Sequence, residues 1–132
     1  MTKVRTSELI GPALDWAVAR AEGADCIDFD NPDEPWLVCG GISSQRLSEF
    51  SPSTNWHQGG LRIERTGISI SLRYATNVWD ALVKPEFWTT GMPGSGVTKE
   101  IIKTGPTPLI AAMRAYVTAK LGDKVEIPEE LD

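Results

Sequence analysis

The segment GPTPLIAAMRAYVTAKLGD, residues 105–123, constrains the fold more than any other stretch of the chain. Thr107 is a good N-cap, Pro108 suits a first helical position where the missing N–H costs nothing, and Gly122 closes the end. Leu109, Ala112, Met113, Tyr116, Val117 and Leu121 form one continuous apolar stripe at helical spacing, with Arg114 and Thr118 on the other side. The pattern predicts a surface helix laid on a sheet.

A second helix is read in GPALDWAVARAEG, with Pro12 in its first turn and Gly23 as its left-handed stop. Leu14, Ala17, Val18 and Ala21 share the core face, whereas Trp16 points elsewhere, towards a sheet edge or a partner. A third, shorter helix is expected in HQGGLRIERTG, ending at Gly67, although Gly59 and Gly60 each lower its propensity by about 1 kcal/mol. Between the helices the pattern changes period. ISISLRY places Ile68, Ile70, Leu72 and Tyr74 on one face and Ser69, Ser71 and Arg73 on the wet one, and PWLVCGG and NVWDALV are shorter strand candidates.

The turn-rich stretches GADCIDFDNPDEP and GMPGSGVTKEIIKTGPTP read as loops, and DKVEIPEELD reads as an acidic tail in which Pro128 blocks a long helix. The expected architecture is therefore α+β: one small domain over residues 1–132, an antiparallel sheet covered by two to three helices. Its variable loops lie at about 24–35 and 89–106, and its tail at 123–132. At 132 residues there is enough chain for one core and too little for two. Trp16, Trp36 and Trp56 are evenly spaced, but their contexts (LDWAV, EPWLV, TNWHQ) do not match, so no repeat is read.

Composition excludes several function classes. A net charge of −5 opposes the phosphate grip of a nucleic-acid binder, although Arg62, Arg65 and Arg73 lie close enough in sequence for a local basic patch. MTKVRTSELIG has no apolar run behind its charges, so no secretory signal is read, and no stretch is apolar enough to span a bilayer. Cys26 and Cys39 are read as two reduced thiols of a cytoplasmic protein.

Three motifs fail on their own chemistry. GMPGSGVT has Gly91 and Gly96 at phosphate-loop separation, but Val97 stands where a lysine must reach the phosphates and Lys99 comes two places late. Asp25, Asp28, Asp30, Asp33 and Glu34 do not meet the ligand pattern of a calcium loop, and a solvated acidic loop is the better reading. A thiol nucleophile would need Cys39 to meet His57, the single histidine, and nothing local marks Cys39 as activated.

The remaining stretch is SPSTNWHQGG, residues 51–60. One reading is structural: Ser53 or Thr54 caps a helix, Trp56 packs in the core and the glycines permit close approach. The other uses the same atoms to hold a ligand. Hydroxyls and free amides at a helix start bind anions, a tryptophan face stacks on a planar ring, and glycine lets a ligand reach the backbone. The two readings are not exclusive.

VRTSELIGPALDWAVARAEG, SPSTNWHQGG and GPTPLIAAMRAYVTAKLGDKVEIPEEL, in that order, resemble the NinX family of small tailed-phage proteins. The resemblance makes residues 27–49 and 75–103 the variable parts, and its layout is similar to small phage domains with an α/β/α sandwich. It implies a bacteriophage accessory gene product acting inside the bacterial host and implies no particular activity. Counter-defence by sequestering a nucleotide signal is an analogy of genomic role.

Residues and resemblance together give an expected non-enzymatic, homo-oligomeric binder of a small anionic ligand such as a nucleotide, with no cofactor, metal, nucleic acid or membrane. The expected site joins Ser53, Thr54, Trp56, His57, Gly59 and Gly60 with Gly105 and Thr107 at the start of the last helix, and Arg62 or Arg65 supplies positive charge. The alternative is an inhibitor of a host protein that acts through exposed Trp79, Phe87 and Trp88. A small hydrolase ranks third.

Overall fold

A computed structural model describes residues 2–28, 36–39, 42–84 and 100–131. In chain order these form β1 (Thr2–Arg5), α1 (Gly11–Ala21), β2 (Ala24–Asp28), β3 (Trp36–Cys39), β4 (Ile42–Arg46), α2 (Trp56–Thr66), β5 (Ser69–Arg73), β6 (Val78–Val83), β7 (Ile101–Gly105), α3 (Pro108–Leu121) and β8 (Lys124–Ile127). Short 3-10 turns at Thr6–Glu8, Leu47–Glu49 and Glu129–Leu131 join them. The strands make three antiparallel sheets, ordered β1-β8, β2-β3-β4 and β5-β6-β7. The α+β class holds.

The last helix is where the sequence signals placed it. Thr107 Oγ1 accepts the Ile110 N–H at 3.1 Å, Pro108 opens the first turn, and Gly122 follows the end at φ +97°. It is not a surface helix, however. Ile110, Ala111, Ala115 and Thr118 are buried along with Leu109, Ala112, Met113, Tyr116 and Val117, while Leu121 remains 38% exposed. Sheet β5-β6-β7 packs on one side of α3, and α1 and α2 pack on it as well. Small alanines let all of them come close. Gly105 sharpens the approach: a Cβ there would stand 2.7 Å from the Ala111 nitrogen. Each large side chain buried in such a core stabilises the fold by about 1.5–3 kcal/mol.

Arg114, half-buried, donates from Nε to the Leu9 carbonyl at 2.8 Å and from Nη1 to the Thr104 carbonyl at 2.9 Å, tying α3 to both its flanks. Tyr116 approaches Glu22 Oε1 at 3.4 Å, and burial together with that carboxylate pushes its phenol up to about 12. Glu22, in turn, pairs with Arg62 at 2.5 Å and so links the end of α1 to α2. Trp16 is buried with its Nε1–H on the Glu126 carbonyl at 3.3 Å, so the residue that faces away from the α1 core stripe does cover a strand, β8.

Several stretches read as loop or tail are strands. Ala24–Asp28 within the 24–35 loop is β2, and Ile101–Gly105 within the 89–106 loop is β7. In β7 a lysine hides the alternation: Lys103 lies on the half-buried side and pairs with Asp123 at 3.5 Å. Within the tail, Lys124–Ile127 is β8, with Val125 and Ile127 buried and its whole length paired to β1. Tyr74, expected on the inner face of ISISLRY, lies past the end of β5 and is exposed.

Cys26 and Cys39 fall on adjacent strands, opposite Val38 and Ala24 respectively. Asp25 and Asp28 belong to β2, while Asp30, Asp33, Glu34 and the GMPGSGVTK stretch lie outside the described residues. Trp16 is in a buried helix, Trp36 on a strand and Trp56 at a helix start, three unrelated settings for the evenly spaced tryptophans. Among the described residues, no helix is long and apolar enough to cross a membrane.

Candidate functional site

The stretch SPSTNWHQGG folds as a turn followed by a helix. Ser51 O accepts the Thr54 and Asn55 amides, and α2 begins at Trp56. The cap is neither Ser53 nor Thr54 but Asn55, whose Oδ1 accepts the amides of His57 at 2.9 Å and Gln58 at 3.3 Å. Gln58 reaches back to hold the turn, accepting from the Ser51 amide at 2.9 Å and donating to the Glu49 carbonyl at 2.8 Å. At the far end, Gly67 adopts φ +67° as the left-handed stop the sequence calls for.

Trp56 does not pack in the core. Its residue is 57% exposed, and it forms one wall of a cleft of about 210 Å³. Pro108, Leu109 and Ile110, the first turn of α3, form the other wall, and Ser53, Thr54 and Thr107 complete the lining. Four of the expected site residues (Ser53, Thr54, Trp56 and Thr107) are thus brought together from segments about fifty positions apart.

The others are placed differently. His57 is exposed on the first turn of α2 and outside the lining of the cleft. Gly59 is buried at the crossing of α2 with the start of α3: a Cβ there would overlap the Pro52 carbonyl and lie 2.5 Å from Leu109 Cδ2. The close approach it permits is therefore to Leu109. Gly60 has open space around it, and Gly105 serves the β7–α3 contact. Arg62 is committed elsewhere, to Glu22, to the Gln58 carbonyl at 2.8 Å and to the face of Phe50 at 5.0 Å. Arg73 pairs with Asp80 at 2.6 Å and Arg65 is exposed, so two of the three arginines of the expected basic patch already have acidic partners.

These placements set the chemistry of the cleft. Among the described residues no cation lines it, and most amides at the two helix starts are spent: His57 and Gln58 on Asn55, Ile110 on Thr107 Oγ1 and Ala111 on the Thr107 carbonyl. An indole face opposite a proline–leucine–isoleucine wall, edged by the exposed Thr54 and Thr107 with the Ser53 hydroxyl buried behind them, suits a flat ring with one or two polar substituents. Phosphate would gain little beyond the hydroxyls and the Leu109 amide.

One residue at this site went unread in the sequence. Asp15, buried in the middle of α1, accepts the Ser53 amide on Oδ1 at 3.0 Å and so holds the turn from beneath. Burial raises its carboxyl above the usual range, partly offset by the hydrogen bonds from Ser53. Its signal was available: a lone carboxylate within the otherwise apolar run PALDWAVA. For the host-protein alternative, Trp79 is half-buried and packs against the core, while Phe87 and Trp88 lie outside the described residues.

A compact α+β domain with a ring-sized cleft between two helix starts is the class that fold and site define. The chain belongs to a bacteriophage family: the model described as Bacteriophage P22, NinX matches residues 5–120, most of its length. It is a phage accessory protein. No curated protein matches the chain.

Proposed function

We propose that this phage protein is a non-enzymatic binder that captures a small ligand by a planar ring, in the manner of a sponge for a nucleotide signal of the host. The observation that carries the reading is Trp56, a tryptophan more than half exposed that walls a cleft instead of filling the core. A cleft of about 210 Å³ is small for a whole drug-sized ligand and suits one nucleobase. The apolar lining that the described residues give the cleft favours a ligand of low charge, a nucleoside or mononucleotide, over a polyphosphate. The ring stacks on Trp56, and the exposed Thr54 and Thr107 take its polar edge or a single phosphate, while the buried Ser53 supports the turn from within. The reading includes a homo-oligomer, whose mass light scattering would report.

Calorimetric titration with AMP, GMP and cyclic di-AMP tests this, followed by heat denaturation and recovery of the nucleotide. Capture returns it intact, whereas hydrolysis returns a product. Trp56→Ala is expected to weaken binding by about ten- to a hundredfold, the worth of one stacked base, with an unchanged melting temperature because the indole is exposed. Trp56→Phe should keep part of the affinity and His57→Gln nearly all of it. Normal binding by Trp56→Ala would end the proposal.

A further inference from the structure

On the other side of the Ser51–Thr54 turn lies a larger cavity, of about 390 Å³. Pro12 at the start of α1, Leu47 and Leu131 give it apolar walls, and Ser51 and Thr54 give it hydroxyls. Among the described residues Asp15 is its one charged lining residue, only 6% exposed. Thr54 also lines the Trp56 cleft, so the two cavities share a wall but not their chemistry.

We infer that this cavity binds a small organic cation, an amidinium or primary ammonium carried on an apolar group, through the carboxylate of Asp15. The site stands whether or not the Trp56 cleft takes a ring. The structural task of Asp15 is to accept from Ser53, chiefly its amide hydrogen at 3.0 Å and also its hydroxyl. An asparagine Oδ1 would do that equally well without burying a charge, and a buried carboxylate without a counter-ion is expensive. Among the described residues, no lysine, arginine or histidine pairs with it. The charge therefore exceeds what the fold uses. It also fits its surroundings: the carboxylate pairs with N–H donors of a cation, the leucines and Pro12 cover the apolar body, and the net charge of −5 draws cations to the surface. An anion is opposed by Asp15, and a purely apolar guest leaves it unpaired.

Stability should carry the same signature. Because burial raises the folded carboxyl above its unfolded value, Asp15 contributes most below the ordinary carboxylate range and loses that contribution as pH rises through the raised value. Where the carboxyl is ionised its burial is thus a cost, so Asp15→Asn should melt higher than wild type there, with the difference closing on acidification. A carboxylate that costs stability where an asparagine would not is what a binding role produces.

The test is an NMR titration of the protein with benzamidine at pH 7, with benzamide as the neutral isostere. Saturable shifts are expected at the amides of Gly11, Ser48 and Thr54, and benzamide should bind at least about tenfold more weakly. Asp15→Asn should lose benzamidine affinity by a similar factor. Ser48→Trp, on the exposed rim, should block the cavity and give the same loss without touching the buried turn. No saturable shift in wild type overturns the proposal, as does equal binding of benzamide or of either variant. Because Trp56→Ala leaves this cavity whole, benzamidine binding by that variant separates failure here from failure of the ring cleft.

Discussion

α2 and α3 are capped alike, each by a side-chain oxygen at its start and a glycine after its end, yet they do opposite work. Within α3 nine residues are buried, on every side, and the helix carries the core. In α2 only Gly59 is buried, and the helix presents Trp56, His57 and Leu61 to solvent. They touch at Gly59 over Leu109, and the ring cleft opens beside that crossing. The difference teaches where tolerance lies. α3 fixes one wall of the cleft rigidly, while α2 holds the exposed indole against it and tolerates change at its exposed positions such as Leu61, Glu64 and Arg65.

The comparison breaks most visibly at Met113. Met113→Asp replaces a fully buried side chain of α3 with an uncompensated charge, and the loss should exceed about 4 kcal/mol, enough to unfold a domain of ordinary stability. Circular dichroism would check it; a folded variant with wild-type melting would remove α3 from the core. Smaller and more discriminating is the glycine pair of α2. Gly59→Ala meets the Pro52 carbonyl, a backbone atom that cannot rotate away, and should cost about 1–3 kcal/mol. Gly60→Ala meets nothing within 4 Å and should gain up to about 1 kcal/mol of helix propensity. Urea titrations of the two variants should therefore move in opposite directions from adjacent positions. Least of all, Asn55→Ala removes the cap of α2 and should cost about 1 kcal/mol in the same titration while nucleotide binding weakens, because Trp56 is the next residue.

The sequence made the ends of both helices legible, because caps, prolines and glycines act within a few residues. It did not reveal that α3 is buried all round. Ala111, Ala115 and Thr118 look neutral on a helical wheel, and only the arrival of the sheet together with α1 and α2 covers them. β7 was masked by Lys103 on its inner side and β8 by the acidic residues around Val125 and Ile127. Of the site, the hydroxyls, Trp56 and Thr107 were legible as types that hold ligands. The commitment of Arg62 to Glu22 was not, since it joins residues forty apart, nor was the bond from Ser53 to Asp15, thirty-eight apart. Glycines were ambiguous in principle: the same missing Cβ admits a ligand or a neighbouring helix.

The ribbon of β1 with β8 has a consequence in time. Thr2 faces Ile127 and Arg5 faces Lys124, so a strand made early pairs with one made more than a hundred residues later. Closing a loop of that length costs about 4 kcal/mol in chain entropy by length scaling alone. Until β8 is made, β1 keeps an open edge and the indole N–H of Trp16 lacks its acceptor on Glu126. Strand β8 thus acts as a latch: a chain halted after Gly122 would hold all of α3 while leaving β1 bare.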